Sequence, residues 1–136
     1  MNYKKIKTLE QAYAAHPDKI DLAKVKKALK FLPVRYSRGM IARLNASVLT
    51  FVLNNDNPKV PEWIADYNNT DQKKFGAWTW GGDRSGAGFR FDGLGWTRST
   101  SSAHGGARLA LKDLPRLQHA KKYFPEIYKE DYLILE

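Results

Sequence analysis

The run Asn54-Asn55-Asp56-Asn57-Pro58 constrains this chain more than any other feature. Four short polar side chains that compete for backbone hydrogen bonds, followed by a ring with no N–H, end regular structure of either kind. Apolar spacing is helical before the run and strand-like after it. Charge changes at the same point. Residues 1–60 hold twelve Lys or Arg against four acids, a net of +8, whereas residues 61–136 hold eleven against ten, a net of +1. The sequence predicts a basic helical part, 1–56, and a second part, 57–136, made of an antiparallel sheet plus a C-terminal helix. Neither half promises a large core alone, so 1–136 is expected to be a single domain.

In the first part Ile6, Leu9, Ala12 and Tyr13 recur at helical spacing and predict a helix from Tyr3 to Ala15, ended by His16-Pro17. Asp18 or Asp21 can cap a second helix whose inner stripe is Leu22, Val25, Ala28, Leu29 and Leu32, closed by Pro33. Ser37 is placed to cap a third, from Arg38 to Leu53, with Met40, Ile41, Leu44, Val48 and Phe51 or Val52 turned inward.

Nine of the ten glycines lie between Gly76 and Gly106, and six large aromatics between Phe75 and Trp96. Short strands at Phe75–Trp80, Gly88–Asp92, around Leu94 and Trp96, and at Ala107–Leu111, separated by glycine turns, point to an antiparallel meander. Asp113 then caps a last helix with Pro115 in its first turn, and Pro125 should break it near Phe124. The expected fold class is α+β: basic N-terminal helices, a small antiparallel aromatic-rich sheet, and the C-terminal helix packed on that sheet.

A field of one sign favours anionic partners, nucleic acid or an acidic protein. The candidate phosphate-binding cations are Lys24, Lys26, Lys27, Lys30, Arg35 and Arg38 in the helical part, with Arg84, Arg90 and Arg98 beside the aromatic block. Trp78, Trp80 and Trp96 are candidate stacking or interface rings. The plainer reading of the lysines is a solvated helix face, and that of the rings is core.

Chemistry finds little support. Without cysteine, disulfides, thiolate catalysis and sulfur-ligated metal drop out. Gly81-Gly82-Asp83-Arg84-Ser85-Gly86-Ala87-Gly88 matches no nucleotide fingerprint and reads as a hairpin connection. His16, His104 and His119 have no partner at metal-ligand spacing, and Ser101, Ser102 and His104 lack an orienting third group. No catalytic residue, metal or cofactor is expected. No apolar stretch is long enough to span a bilayer, and the opening MNYKKIKT lacks the apolar run of a secretory signal.

The residues Pro61-Glu62-Trp63, Tyr67 through Phe75, Trp78, Gly88-Phe89-Arg90-Phe91 and Gly106 through Lys112, followed by Ala120 to Tyr132, resemble in their order a group of small bacteriophage and Bacteroidetes proteins with no assigned activity. The resemblance covers about residues 60–132 and departs from the group at Phe75-Gly76-Ala77-Trp78, where the group has a more continuous aromatic run. It implies a phage-related origin, and with it a bacterial cytoplasm or a virion as the setting. The function expected from all this is that of a non-catalytic accessory protein binding nucleic acid through a basic helical surface. The alternative is a protein–protein interaction module, a virion component or an inhibitor of a host protein, with homo-oligomerisation in the same class.

Overall fold

The computed structural model describes residues 2–66, 71–72, 74–79, 91–97 and 109–132, with the backbone alone at 74, 76–79, 91–97 and 129–132. The predicted first helix is two elements. Tyr3–Lys5 forms a single 3-10 turn, capped by the Asn2 side chain, which accepts from the Lys4 N–H at 2.9 Å. Helix α1, Leu9–Ala15, starts afresh from a reciprocal cap: Thr8 Oγ1 accepts from the Gln11 N–H at 3.2 Å, and Gln11 Oε1 accepts from the Thr8 N–H at 3.1 Å. Asp21, rather than Asp18, caps α2, Leu22–Ala28, which passes into a 3-10 turn at Leu29–Phe31.

Helix α3 runs from Val34 to Asn54, four residues longer at its start than the spacing predicted. Pro33 opens the helix instead of only closing the previous one; its carbonyl accepts from the Tyr36 and Ser37 N–H groups at 2.9 and 3.2 Å. A missing N–H is harmless at that position. Ser37 is therefore inside the helix, and its hydroxyl turns back to the Val34 carbonyl.

The second half corrects the predicted fold class. Helix dominates the described residues, and the core is helix on helix, so the α+β architecture with a sheet under the C-terminal helix is overturned. Among the described residues the sheet is a two-stranded antiparallel ribbon, β1 (Lys74–Thr79) and β2 (Phe91–Thr97), with Phe75 opposite Trp96, Gly76 opposite Gly95 and Trp78 opposite Gly93; positions 88–90 of the expected strand at Gly88–Asp92 lie outside the described residues. Its pairing shifts between Trp78 and Thr79. Of the expected strand at Ala107–Leu111 the first two residues lie outside the described ones; at 109–111 there is one bridge, in which Phe75 and Leu111 exchange both backbone hydrogen bonds at 2.8 and 2.9 Å. Leu109, Ala110 and Leu111 are all buried, which an alternating strand would not allow.

The last helix is capped by Asp113 and splits at Phe124, whose φ of −131° and ψ of 33° leave the helical region just before Pro125. This gives α4, Leu114–Tyr123, and α5, Pro125–Tyr132. Helix α5 lies along α3, and the Thr50 and Tyr128 hydroxyls meet at 2.8 Å between them. Helix α1 packs on the same helix, where the Tyr13 hydroxyl donates to Asn45 Oδ1 at 2.6 Å. With neighbours on two sides, the end of α3 buries Val48, Leu49, Thr50, Val52, Leu53 and Asn54. The predicted single stripe beginning at Met40 is too narrow there and misplaced at the other end, where Met40 is exposed.

Burial pushes the Tyr13 phenol up to about 12. The unfolded chain ionises near the ordinary value of 10.0, so this residue favours folding fully below pH 10 and progressively less as pH climbs to 12. Tyr13→Phe should therefore flatten alkaline destabilisation in that window, at the cost of the Asn45 hydrogen bond, about 1 kcal/mol at neutral pH. Urea midpoints across pH 8–12 measure both effects.

Candidate nucleic-acid interface

From Leu22 to Asn55 the chain carries Lys24, Lys26, Lys27, Lys30, Arg35, Arg38 and Arg43 and no acid. Lys24 and Lys27, three apart, and Lys26 and Lys30, four apart, are neighbours along α2 and its 3-10 extension. Like charges at these spacings repel by a few tenths of a kcal/mol per pair. Lys24, Lys26, Lys27, Lys30, Arg35 and Arg38 are all exposed, and none has an ion-pair partner among the described residues. The structure brings these six predicted cations onto one continuous stretch of α2, the Leu29–Phe31 turn and the first turns of α3.

This stretch stands out from the core. Helix α2 has no buried residue; of its predicted stripe Leu22, Val25, Leu29 and Leu32 are half-buried and Ala28 is exposed. Beside the cations lie large apolar side chains open to solvent: Phe31 at 79%, Val34 at 75%, Tyr36 at 58% and Met40 at 52% exposure. Contiguous exposed apolar groups on a folded chain mark interaction surfaces. Sequence reasoning missed Phe31, Val34 and Tyr36 and assigned Met40 to the core. The available signal was the apolar run Phe31-Leu32-Pro33-Val34 across a helix junction, where one helix cannot bury both sides of a proline.

Arg84, Arg90, Arg98 and Trp80 lie outside the described residues. Trp78 and Trp96 are placed by their backbone on β1 and β2, three register positions apart on opposite strands of the ribbon. The described histidines serve the fold. His16 is buried against the Phe51 ring, with its Nδ1 accepting the Asp18 N–H at 3.1 Å. His119 Nε2 meets the Ile6 carbonyl at 2.7 Å, and because a carbonyl only accepts, that nitrogen carries the proton. Among the described residues no three His, Asp or Glu side chains gather into a metal-sized group, and no helix is long and apolar enough to cross a membrane.

A concavity of about 390 Å³ opens beside α3, walled by Phe51, Val52, Pro58 and Val60 with Asp56 at its edge. Asp56 is already engaged there. Its Oδ2 accepts the Tyr3 N–H and its Oδ1 pairs with Arg116, each at 2.9 Å. Burial alone would raise its pKa, but the Tyr3 N–H and the Arg116 guanidinium outweigh that and hold the carboxyl below its ordinary range. A carboxylate so committed is a structural anchor, not an acid or base poised for reaction.

No family model matches the chain, and no curated protein or solved structure is significantly similar to it.

Proposed function

We propose that this protein is a non-catalytic, phage-related accessory protein that binds nucleic acid through α2 and the start of α3, acting in a bacterial cytoplasm or in a virion. The observation that carries this reading is the acid-free segment Leu22–Asn55 with its six exposed cations, none of them ion-paired among the described residues. Phosphates relieve the repulsion among those lysines and release condensed counterions. Phe31 and Tyr36 add ring faces beside Lys30 and Arg35, a combination suited to unstacked bases.

Anisotropy titrations against labelled single- and double-stranded oligonucleotides at low and moderate salt test the proposal. Log affinity should fall with log salt by roughly 0.7–0.9 per phosphate neutralised. Changing Lys24, Lys26, Lys27 and Lys30 together to Gln should weaken binding about tenfold or more and flatten that slope, while Lys121→Gln leaves both unchanged. Absence of binding at low salt ends the reading. Undiminished binding by the fourfold variant moves the site to the segment holding Arg84, Arg90 and Arg98.

The exposed Phe31, Val34, Tyr36 and Met40 favour a second reading, a protein interface in which these side chains are the anchors and the surrounding cations steer an acidic partner or a second copy. Trp78, Trp80 and Trp96 remain candidate rings for either reading. Light scattering of Phe31→Ser/Tyr36→Ser beside the native chain separates the two. Dissociation of an oligomer supports the interface; a monomer in both cases, with lost single-strand affinity, supports nucleic acid.

A further inference from the structure

On the far side of the N-terminal turn, a groove of about 430 Å³ lies between Tyr3–Lys7 and one face of α4. That volume is within the range of about 300–1,000 Å³ typical of small-molecule sites. Lys4 and Lys7 stand on one wall and Lys122 on the other; among the described residues no acid lines it. The Lys7 and Lys122 ammoniums sit 5.6 and 5.2 Å from the centre of the same ring, Tyr123, so the groove gathers cations around one aromatic wall. None of the three lysines has an ion-pair partner among the described residues.

The wall bearing Lys4 and Lys7 is fixed by hydrogen bonds to nearly every residue of the turn. The Tyr3 N–H goes to Asp56, the Lys4 N–H to Asn2 Oδ1 at 2.9 Å and the Lys7 N–H to Gln11 Oε1 at 2.7 Å, while the Ile6 carbonyl holds His119. His119 in turn meets Tyr3 edge-on at 5.3 Å between ring centres and Tyr123 at 4.7 Å. The opposite wall presents Pro115, His119 and Lys122, at intervals of four and three, which share one side of α4. Three lysines lining one groove, two of them with their ammoniums on the same ring and with no carboxylate in the lining among the described residues, favour a compact polyanion. Lysine binds phosphate as a point charge, and the half-buried Tyr123 ring suits an apolar ester group.

We infer that this groove is a binding site for a small phosphate monoester, its phosphate on Lys4, Lys7 and Lys122 and its organic part against Tyr123. The site is independent of the α2–α3 surface, and its test is separable from that of nucleic-acid binding. In ¹⁵N-resolved NMR titrations of the native chain, phenyl phosphate and inorganic phosphate should shift the amides of residues 3–7 and 118–123 but not those of 24–38. Sodium chloride at matched ionic strength should not do so. Phenyl phosphate should bind several-fold more tightly than inorganic phosphate. Lys4→Gln/Lys7→Gln/Lys122→Gln should weaken phenyl phosphate at least tenfold, whereas Lys121→Gln changes it less than twofold. Equal shifts with chloride, shifts centred on α2, or unchanged affinity in the triple variant would each overturn the assignment. The native-chain titration decides the matter even where the variant fails to fold.

Discussion

Asp56→Ala is expected to destabilise the protein by about 3 kcal/mol, a large share of the 5–15 kcal/mol that holds a domain of this size. The Asp56 and Arg116 side chains are only 11% and 13% exposed. Removing the carboxylate leaves a guanidinium in a site that excludes most water, and leaves the Tyr3 N–H without its acceptor. Arg116 retains Asp113 and the Leu53 carbonyl, which keeps the loss at the lower end of the range for broken buried pairs. Asp56→Asn preserves an acceptor for Tyr3 and should cost about half as much. The pH dependence separates charge from packing. Because the folded carboxyl is held below its ordinary value of 3.8, the ion pair contributes fully above that pH, where both states are ionised. Below it the unfolded chain takes up the proton first, and the contribution drains away until the folded carboxylate is protonated too. The gap between native protein and Asp56→Asn in urea denaturation should thus be constant from pH 7 to pH 5 and close below pH 4. An equal gap at pH 7 and pH 3 would refute the ionic account.

Asp56 also shows what a local reading of sequence can and cannot reach. The run Asn54–Pro58 is legible as a boundary because its chemistry is local. Its tertiary use is not, since the partners of Asp56 are Tyr3 and Arg116, 53 and 60 residues away. The same division holds along the chain. Caps at Asp21 and Asp113 and the break at Pro125 follow from short-range backbone rules, and the structure contains them. The Thr8–Gln11 cap obeys the same rules and was readable, but continuous apolar spacing from Ile6 to Tyr13 concealed it. The predicted fold class fails because it equates alternation with sheet. At Leu109–Leu111 every side chain is buried, so the pattern reports burial, and β-propensity there is overridden by packing.

The candidate interface divides in the same way. Lysines opposite an apolar stripe are read from spacing alone, and α2 exposes them. Phe31, Val34 and Tyr36 could not be separated from core residues by type, because exposure depends on whether another element covers the junction. Here α1 and α5 cover the C-terminal half of α3 and leave its beginning open. The surface proposed to bind nucleic acid exists because the core occupies only one end of the longest helix.

Asn54→Leu should be about as damaging as Asp56→Ala, roughly 3 kcal/mol, for a different reason. Asn54 is 4% exposed, at the last turn of α3. Its Nδ2 donates to the Ala110 carbonyl and its Oδ1 accepts from the Lys112 N–H, both at 2.9 Å, so one side chain serves as the missing strand partner for that segment. Between those two residues Leu111 exchanges its own backbone bonds with Phe75, which ties the ribbon to the helical core. Leucine matches the shape of asparagine but satisfies neither group, and one buried and one half-buried backbone polar atom are then left without that partner. Asn54→Asp is the sharper probe. An ionised aspartate still accepts from Lys112 but turns a second acceptor toward the Ala110 carbonyl, so at pH 7 it should be destabilised at least as much as Asn54→Leu. Protonation restores a donor to the side chain, and this variant should regain stability relative to the native protein as pH falls from 7 toward 4.5, whereas Asn54→Leu should not. Hydrogen exchange adds a local readout: the Phe75 and Leu111 amides should lose protection in both variants at neutral pH. Native stability of Asn54→Asp at pH 7, or unchanged protection at Phe75 and Leu111, would mean that the helical core holds this segment without Asn54.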